Sequence, residues 1–318
     1  MQKTQLKPIE IKNTGALYAL NLYKKGCANS WFPDQESLAQ DKDEYDTKLG
    51  DTEKHYLKYM LGFFSTAESL VANNINHALY KHMRYSEERL FLIRQAFEEA
   101  NHAMTFLYII DSLNIDREEI LSMYKTSPSI KAKKDFEEEF TKSIVDTKEV
   151  SDQELFRNLF GFYAIMEGLF FFSGFLIGLS FGRRQILRGV SSLVNYILRD
   201  ETIHLGFGMQ AMRKLLNENP AILTPELKKE LIETMDKAVQ LETAYAQEAM
   251  PQGILGMNSN YYIKYCKHIA DRRLKTLGLG EVYKVQNPAP WLMTSTDMPS
   301  LRSFFEASEE ASYSLNVK

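Results

Sequence analysis

The sequence predicts an all-α protein, a helical bundle built around polar side chains that face inward. Three observations predict it. Helical periodicity runs through nearly the whole chain, strand alternation is scarce, and Gly and Pro fall mostly between the periodic segments. Two Glu-x-x-His pairs occur, Glu99–His102 and Glu201–His204, and they use two of only six histidines in 318 residues. Each pair follows a lone glutamate, Glu68 by 31 residues and Glu167 by 34, an interval that suits a helix, a turn and a returning helix. Two such hairpins make a four-helix core with ligands from every helix.

The elements follow in order. Asp51 to about Met83 reads as one long helix. Ser86 caps the next, with Glu87 and Glu88 in its first turn, and that helix runs to about Leu113. Asp116 and Glu119 form a capping-box pattern for a short helix, and another helix covers Ile130 to Ile144. Ser151 and Glu154 form a second capping box and open a strongly apolar helix. Gln185 to Leu216 is a further long helix. Thr224, with Pro225 at the first helical position, starts the next, which ends before Pro251. Asn260 to Leu277 closes the series, with Gly278 as the stop. No low-complexity linker divides the body, so one domain is expected over residues 1–300, and the small, polar and acidic residues 301–318 read as a mobile tail.

Composition narrows the function. The net charge is -4 and no basic stripe appears, so nothing points to nucleic acid. Cys27 and Cys266 cannot form a disulfide framework, which implies a reducing compartment. The amino-terminal residues have no apolar core of a signal peptide, so a cytoplasmic location is expected. Residues 159–182 are long and apolar enough to span a bilayer, but Glu167 lies inside them and no second spanning segment exists to supply its partner. A helix covered on all sides by its neighbours in a bundle is the better reading, with no membrane.

Residues three apart on a helix lie about 60° apart around its axis, so each Glu-x-x-His pair shares a face. Leu92, Ala96, Glu99, His102, Phe106, Ile109 and Leu113 form one stripe, and Val194, Ile197, Glu201, His204, Leu205 and Met212 form another. Glu68 lies among Leu57, Leu61, Phe64, Val71 and Ile75, and Glu167 has no polar surroundings. Four carboxylates on apolar faces cannot all stay ionised without counter-charge. Two cations would compensate them, and carboxylate with imidazole suits manganese, iron or zinc. Glu98, whose i+3 neighbour is Asn101, reads as an ordinary outward charge. His55, His77, His82 and His268 lack the pattern and read as structural or surface residues.

On these residues the chain resembles the radical-generating small subunit of class I ribonucleotide reductase, from Asn29-Ser-Trp-Phe-Pro33 through Arg199-Asp-Glu-Thr-Ile-His204 to the tail. The resemblance implies a ferritin-like fold, a dinuclear metal site held by Glu68, Glu99, His102, Glu167, Glu201 and His204, and a homodimer. It also implies an activity: oxygen activation, storage of one oxidising equivalent, and delivery to a large catalytic subunit that reduces ribonucleoside diphosphates. Most of this family has a radical-bearing tyrosine one turn after the first ligand histidine. Here that position is Phe106, which has no ionisable hydroxyl, and Tyr108 lies roughly 200° round the helix from it. The oxidising equivalent is then expected on the metals. This is similar to subclass Ic, which pairs manganese with iron, and Phe63-Phe-Ser-Thr-Ala-Glu-Ser-Leu70 and Gln95-Ala-Phe-Glu-Glu-Ala100 also resemble that branch. A dimanganese or a diiron pair remains the alternative.

The resemblance further implies a route out of the site. Asp200 would receive a hydrogen bond from His102 and meet the indole N–H of Trp31, consistent with the habit of metal-bound histidines of donating to a carboxylate. Tyr313, in a tail that resembles the family's docking peptide, would be the terminal relay. Tyr196 would be an accessory electron path, and Phe171, Phe175 and Ile197 would form an apolar wall. Two rival functions share the ligand pattern. One is another dinuclear-metal oxidase, such as a ligand-binding oxidase or a fatty-acyl desaturase, which needs neither the Trp31–Asp200 relay nor a conducting tail. The other is iron storage, whose subunits are usually shorter and assemble as shells.

Overall fold

The computed structural model describes Ile9, residues 15–145, Thr147, residues 149–254 and residues 256–295. Among the described residues fourteen α-helices follow one another: α1 Leu17–Ala28, α2 Ala39–Thr47, α3 Asp51–Asn74, α4 Tyr80–His82, α5 Ser86–Ser112, α6 Arg117–Leu121, α7 Met123–Thr126, α8 Pro128–Val145, α9 Asp152–Leu159, α10 Phe172–Arg183, α11 Arg188–Glu218, α12 Pro225–Ala249, α13 Ser259–Thr276 and α14 Pro290–Ser295. Among the described residues there is no strand, only an isolated bridge between Ile254 and Met257. Two segments have π geometry, Ile75–Leu79 between α3 and α4, and Phe160–Phe171 between α9 and α10. The second joins α9 and α10 into one continuous helical run.

Four long helical runs form the centre. α3 lies along α5, and α10 with its π extension lies along α11. α1 covers α5, while α8, α12 and α13 close the other side. The apolar run Asp152–Arg183 that could pass for a membrane span is 94% buried over its apolar window. Its neighbours, rather than lipid, cover it on every side, as its all-round apolar character requires. The stripes on α3, α5 and α11 face the same core: Leu57, Leu61, Phe64, Leu92, Phe106, Val194 and Ile197 are all fully buried.

Several helix starts follow local chemistry. Ser151 Oγ accepts from Glu154 N (3.2 Å) while Glu154 reaches back to Ser151 N (3.0 Å), a reciprocal capping box. Thr224 Oγ1 accepts from Leu227 N (3.2 Å), with Pro225 at the first position. Asn258 caps α13, and Gly278 stops it with φ +74°, a conformation that suits only glycine at low cost.

Two expected helix starts and one expected capping box differ. Ser86 is the first helical residue rather than the cap, because Glu88 satisfies the free N–H of Tyr85 (3.2 Å) and so fixes the helix start there. Asp116 caps α6 as expected, but Glu119 turns away to bond Lys58 (2.7 Å) instead of completing a box. The helix expected from Gln185 starts at Arg188, since Gln185 and Leu187 hold φ of 60° and 49°. Its first turn is capped from a distance. Asp41 on α2 accepts from Gly189 N (3.1 Å) and Val190 N (2.7 Å), and Glu44 accepts from Leu187 N (2.8 Å). Carboxylates at a helix N-terminus satisfy orphan donors and complement the dipole. Asp41→Ala should lower the unfolding free energy by about 1–3 kcal/mol, measured by denaturant titration. Unchanged stability would show that the α11 start does not need that carboxylate.

Candidate metal centre

α3 supplies Glu68, α5 supplies Glu99 and His102, the π segment supplies Glu167, and α11 supplies Glu201 and His204. All six are fully buried. They form two overlapping groups, Glu68 with Glu99, His102 and Glu201, and Glu99 with Glu167, Glu201 and His204. In each group one donor atom per residue lies within 4.8 Å of the others. Glu99 and Glu201 belong to both groups, so each carboxylate has one oxygen to offer to each of two ions.

The imidazoles point the same way. His102 Nδ1 lies 3.1 Å from Glu201 and 3.4 Å from Glu99, and His204 Nδ1 lies 3.1 Å from Glu99 and 3.3 Å from Glu201. Both Nδ1 atoms thus face the carboxylate centre, and both Nε2 atoms face outward. The outward contacts cross over. His102 Nε2 lies 3.5 Å from Asp200 on α11, and His204 Nε2 lies 2.7 Å from Glu98 on α5. Glu98 is therefore no outward charge; it is buried, held by Arg94 (2.9 Å), and backs the histidine of the opposite half. The signal was in the repeat itself. Glu98-Glu99 and Asp200-Glu201 are the same acidic doublet before x-x-His, and each leading acid serves the other helix.

Gln95 and Tyr163, which the sequence reading passed over, complete the surroundings. Gln95 Nε2 donates to Glu167 (2.6 Å) and Glu99 (3.2 Å), and the Tyr163 hydroxyl donates to Gln95 Oε1 (2.9 Å). Gly208 makes room for this phenol, because a Cβ there would lie 2.0 Å from the Tyr163 ring. Arg273 donates to the Gly168 carbonyl (2.9 Å), a partner for a backbone group in the π segment beside Glu167.

The electrostatics show what the cluster lacks. Burial pushes Glu68 well above the usual carboxylate range, with His102 pulling back, and burial with the Glu201 charge does the same to Glu167. Burial also acts to raise Glu99, but His204 and His102 outweigh it and hold that carboxyl low. Burial would lower both histidines, yet the carboxylates around them hold both well above the ordinary imidazole range. In the protein alone the imidazoles serve as the counter-cations, a task for which metal ions are better suited. Both Glu68 oxygens, Glu99 Oε2, both His102 nitrogens, Glu167 Oε2 and Glu201 Oε1 are buried without a hydrogen-bond partner. Orphaned donors of this chemistry, converging from four helices, fit a pair of divalent or trivalent ions.

The described residues expected around the centre are brought together, but the expected hydrogen bond from His102 to Asp200 is not formed: the two stand 3.5 Å apart and His102 Nε2 has no hydrogen-bond partner. Trp31 Nε1 donates to Asp200 Oδ2 (2.6 Å), and the Trp31 and His102 rings lie 6.2 Å apart at 24°. Tyr196 packs on Trp31 at 5.3 Å. Phe106 is fully buried and stacks on Phe64 (4.8 Å, 4°), which stacks in turn on Phe175 (4.9 Å, 9°). Phe171 packs edge-on against Phe64 (5.4 Å) and Phe175 (6.2 Å), and Ile197 is fully buried. Tyr108 turns away and donates to the Glu36 carbonyl (2.8 Å). His55, His82 and His268 meet backbone carbonyls, and His77 is exposed. Tyr313 and the tail 301–318 lie outside the described residues.

Fold and site together define a ferritin-like protein with a buried carboxylate-and-histidine cluster suited to two metal ions. The family model for the ribonucleotide reductase small chain matches residues 6–288. A ribonucleoside-diphosphate reductase subunit beta from Chlamydia pneumoniae is 44% identical, over 95% of this chain and 88% of that protein. The ribonucleotide reductase R2 subunit from Clostridium botulinum superposes with a TM-score of 0.82 at 25% identity, covering 89% of each chain. An R2-like ligand-binding oxidase reconstituted with a Mn/Fe cofactor shares the fold, with a TM-score of 0.71 at 21% identity over 82% of this chain and 93% of that one. The chain belongs to the ribonucleotide reductase small-chain family and is the radical-generating component of ribonucleoside-diphosphate reductase.

Removing a carboxylate that backs a metal-bound histidine typically weakens metal affinity about 10–100-fold. Glu98→Gln should do so for manganese(II), read by equilibrium titration of the metal-free protein. Undiminished affinity would show that His204 is oriented without Glu98.

Proposed function

We propose that Glu68, Glu99, His102, Glu167, Glu201 and His204 hold one manganese and one iron ion. When bound, this pair supplies the capacity to react with oxygen and to retain one oxidising equivalent. The observation that carries this reading is the donor set itself: six buried side chains with donor atoms converging on one centre, five of them with unpaired polar atoms, and Phe106 where a radical-bearing phenol would stand. Two features favour storage on the metals. Phe106 offers no hydroxyl to oxidise, and Tyr108 is committed to the Glu36 carbonyl. The manganese–iron pair is preferred over dimanganese or diiron on the Phe106 position and the local segments around Glu68 and Glu99; donor chemistry alone fits all three.

The protein's own groups then have defined tasks. Gln95 steadies the Glu167 and Glu99 carboxylates, and Glu98 and Asp200 hold the imidazoles with Nδ1 inward. Phe64, Phe106, Phe171, Phe175 and Ile197 exclude water from one side. Trp31 and Asp200 form the outlet, because a carboxylate that accepts the indole proton's hydrogen bond also faces a ligand imidazole. Tyr196, against Trp31, is an accessory path for the electron needed during activation.

The working assembly is a homodimer that docks a large catalytic subunit through the tail 301–318, in the cytoplasm, with residues 1–300 as a single domain. An apolar stripe on α5 supports the dimer. Ile93, Phe97 and Met104 are 49%, 45% and 58% exposed at helical spacing, and Phe32 packs edge-on against Phe97. Large exposed apolar side chains grouped in this way mark association surfaces. Tyr313 is the terminal relay. Tyr313→Phe should abolish turnover with the large subunit while metal content, measured by elemental analysis, stays unchanged. Normal turnover of that variant would reject the relay, and activity that survives removal of residues 301–318 would favour a free-standing oxidase instead.

A further inference from the structure

A second buried ionic cluster lies outside the metal centre. Lys133 on α8 and Glu242 on α12 are fully buried and paired at 2.8 Å, and Glu242 takes its other oxygen to the Tyr262 hydroxyl (2.9 Å). Stability does not explain this pair, because apolar replacements of buried ion pairs are often neutral or stabilising. The position of the ammonium is more telling. Lys133 Nζ lies 3.4 Å from the centre of the Phe63 ring, 4.4 Å from Phe170 and 4.6 Å from Tyr245.

Phe63 and Tyr245 are the middle of an unbroken line of rings. It starts at Phe106, one turn beyond His102, and runs through Phe64 (4.8 Å), Phe63 (5.1 Å) and Tyr245 (5.9 Å) to Tyr59 (6.2 Å). Tyr59 is half-buried and donates to Glu248 Oε1 (2.8 Å). That end of the line is suited to be oxidised, since an electron can leave the phenol while its proton moves to Glu248. Tyr245 is not, because its buried hydroxyl has no hydrogen-bond partner to take the proton. Positive charge developing transiently on the Phe63 ring as an electron passes is raised in energy by an ammonium 3.4 Å from the ring centre, more strongly in a buried setting than in water.

We propose that Lys133 is an electrostatic insulator: its ammonium, lying on Phe63 and Tyr245, keeps an oxidising equivalent at the metal centre from draining through those rings to Tyr59. The inference rests on the reading that the equivalent is stored on the metals. The leak it opposes is one electron from Tyr59 to the oxidised centre, the phenol proton passing to Glu248, and a neutral tyrosyl radical left behind. Lys133 acts on the route and touches no metal ligand, so metal loading does not depend on it.

The test uses the full chain loaded with manganese and iron, oxidised with oxygen and held without the large subunit. Decay of the oxidised centre is followed by its paramagnetic resonance signal, with ring-deuterated tyrosine to mark any tyrosyl radical. The neutral pair Lys133→Met with Glu242→Gln should bind metals normally, lose the stored equivalent at least about tenfold faster than wild type, and show a tyrosyl signal. Adding Tyr59→Phe should restore the wild-type lifetime. An unchanged lifetime in the neutral pair, or fast decay that Tyr59→Phe does not reverse, would overturn the insulator. Should the neutral pair not fold, peptide mass analysis of long-held wild-type protein decides: Tyr59 free of oxidation supports the insulator, and oxidation at Tyr59 overturns it. A wild-type protein that never accumulates an oxidised metal signal defeats the storage reading, and this inference with it, which is a different result from a stored signal indifferent to Lys133.

Discussion

Four glutamates buried in an apolar core set the terms for everything around them. Glu68, Glu99, Glu167 and Glu201 are fully buried with two imidazoles as their nearest counter-charge. Burial drives Glu68 and Glu167 towards the protonated form, and two imidazoles are drawn into service as cations. The surrounding packing is committed to this centre: α3, α5, α11 and the π segment bury mostly apolar side chains around the six ligands and the few polar groups that touch them. Placing two multivalent ions among these oxygens converts the strain into binding energy.

The second layer is a crossed pair. Asp200 backs His102 and Glu98 backs His204, so each half of the repeat depends on the acid of the other. This coupling ties α5 to α11 through the site rather than merely beside it. The two sides of the centre then differ in kind. Towards Trp31 the indole donates to Asp200, whose carboxylate stands 3.5 Å from the His102 ring nitrogen. Towards Phe64, Phe106 and Phe175 the neighbours are stacked hydrocarbon rings. On the proposed reading the polar side is the outlet and the ring side excludes water.

Much of this was legible in the sequence because the signals were local. Helical stripes such as Leu92–Phe106–Ile109, and caps such as Ser151 with Glu154 and Asp116, depend on residues within a few turns. The ligand set was legible because it is doubled. What escaped is tertiary. The start of α11 is set by Asp41 and Glu44, some 145 residues away in sequence (|i−j| of 143 to 149). Glu119 prefers Lys58 to its own helix end. The π register around Glu167, with Arg273 on the Gly168 carbonyl, leaves no mark in a pattern that reads as apolar in every direction. Glu98 has Asn101 as its i+3 neighbour, so its local pattern reads as an outward charge; only its place as the twin of Asp200 in the repeat marks it as a partner of a ligand histidine.

The central claim is that two metal ions at this centre carry the redox work that a phenol at position 106 would otherwise share. Quantifying manganese and iron in fully active protein, with the paramagnetic resonance of its oxidised state recorded on the same sample, tests it most directly. The account predicts one manganese and one iron per chain and a signal that belongs to the coupled metals alone. A stable tyrosyl radical in the active wild-type protein, or full activity without bound metal, would contradict it.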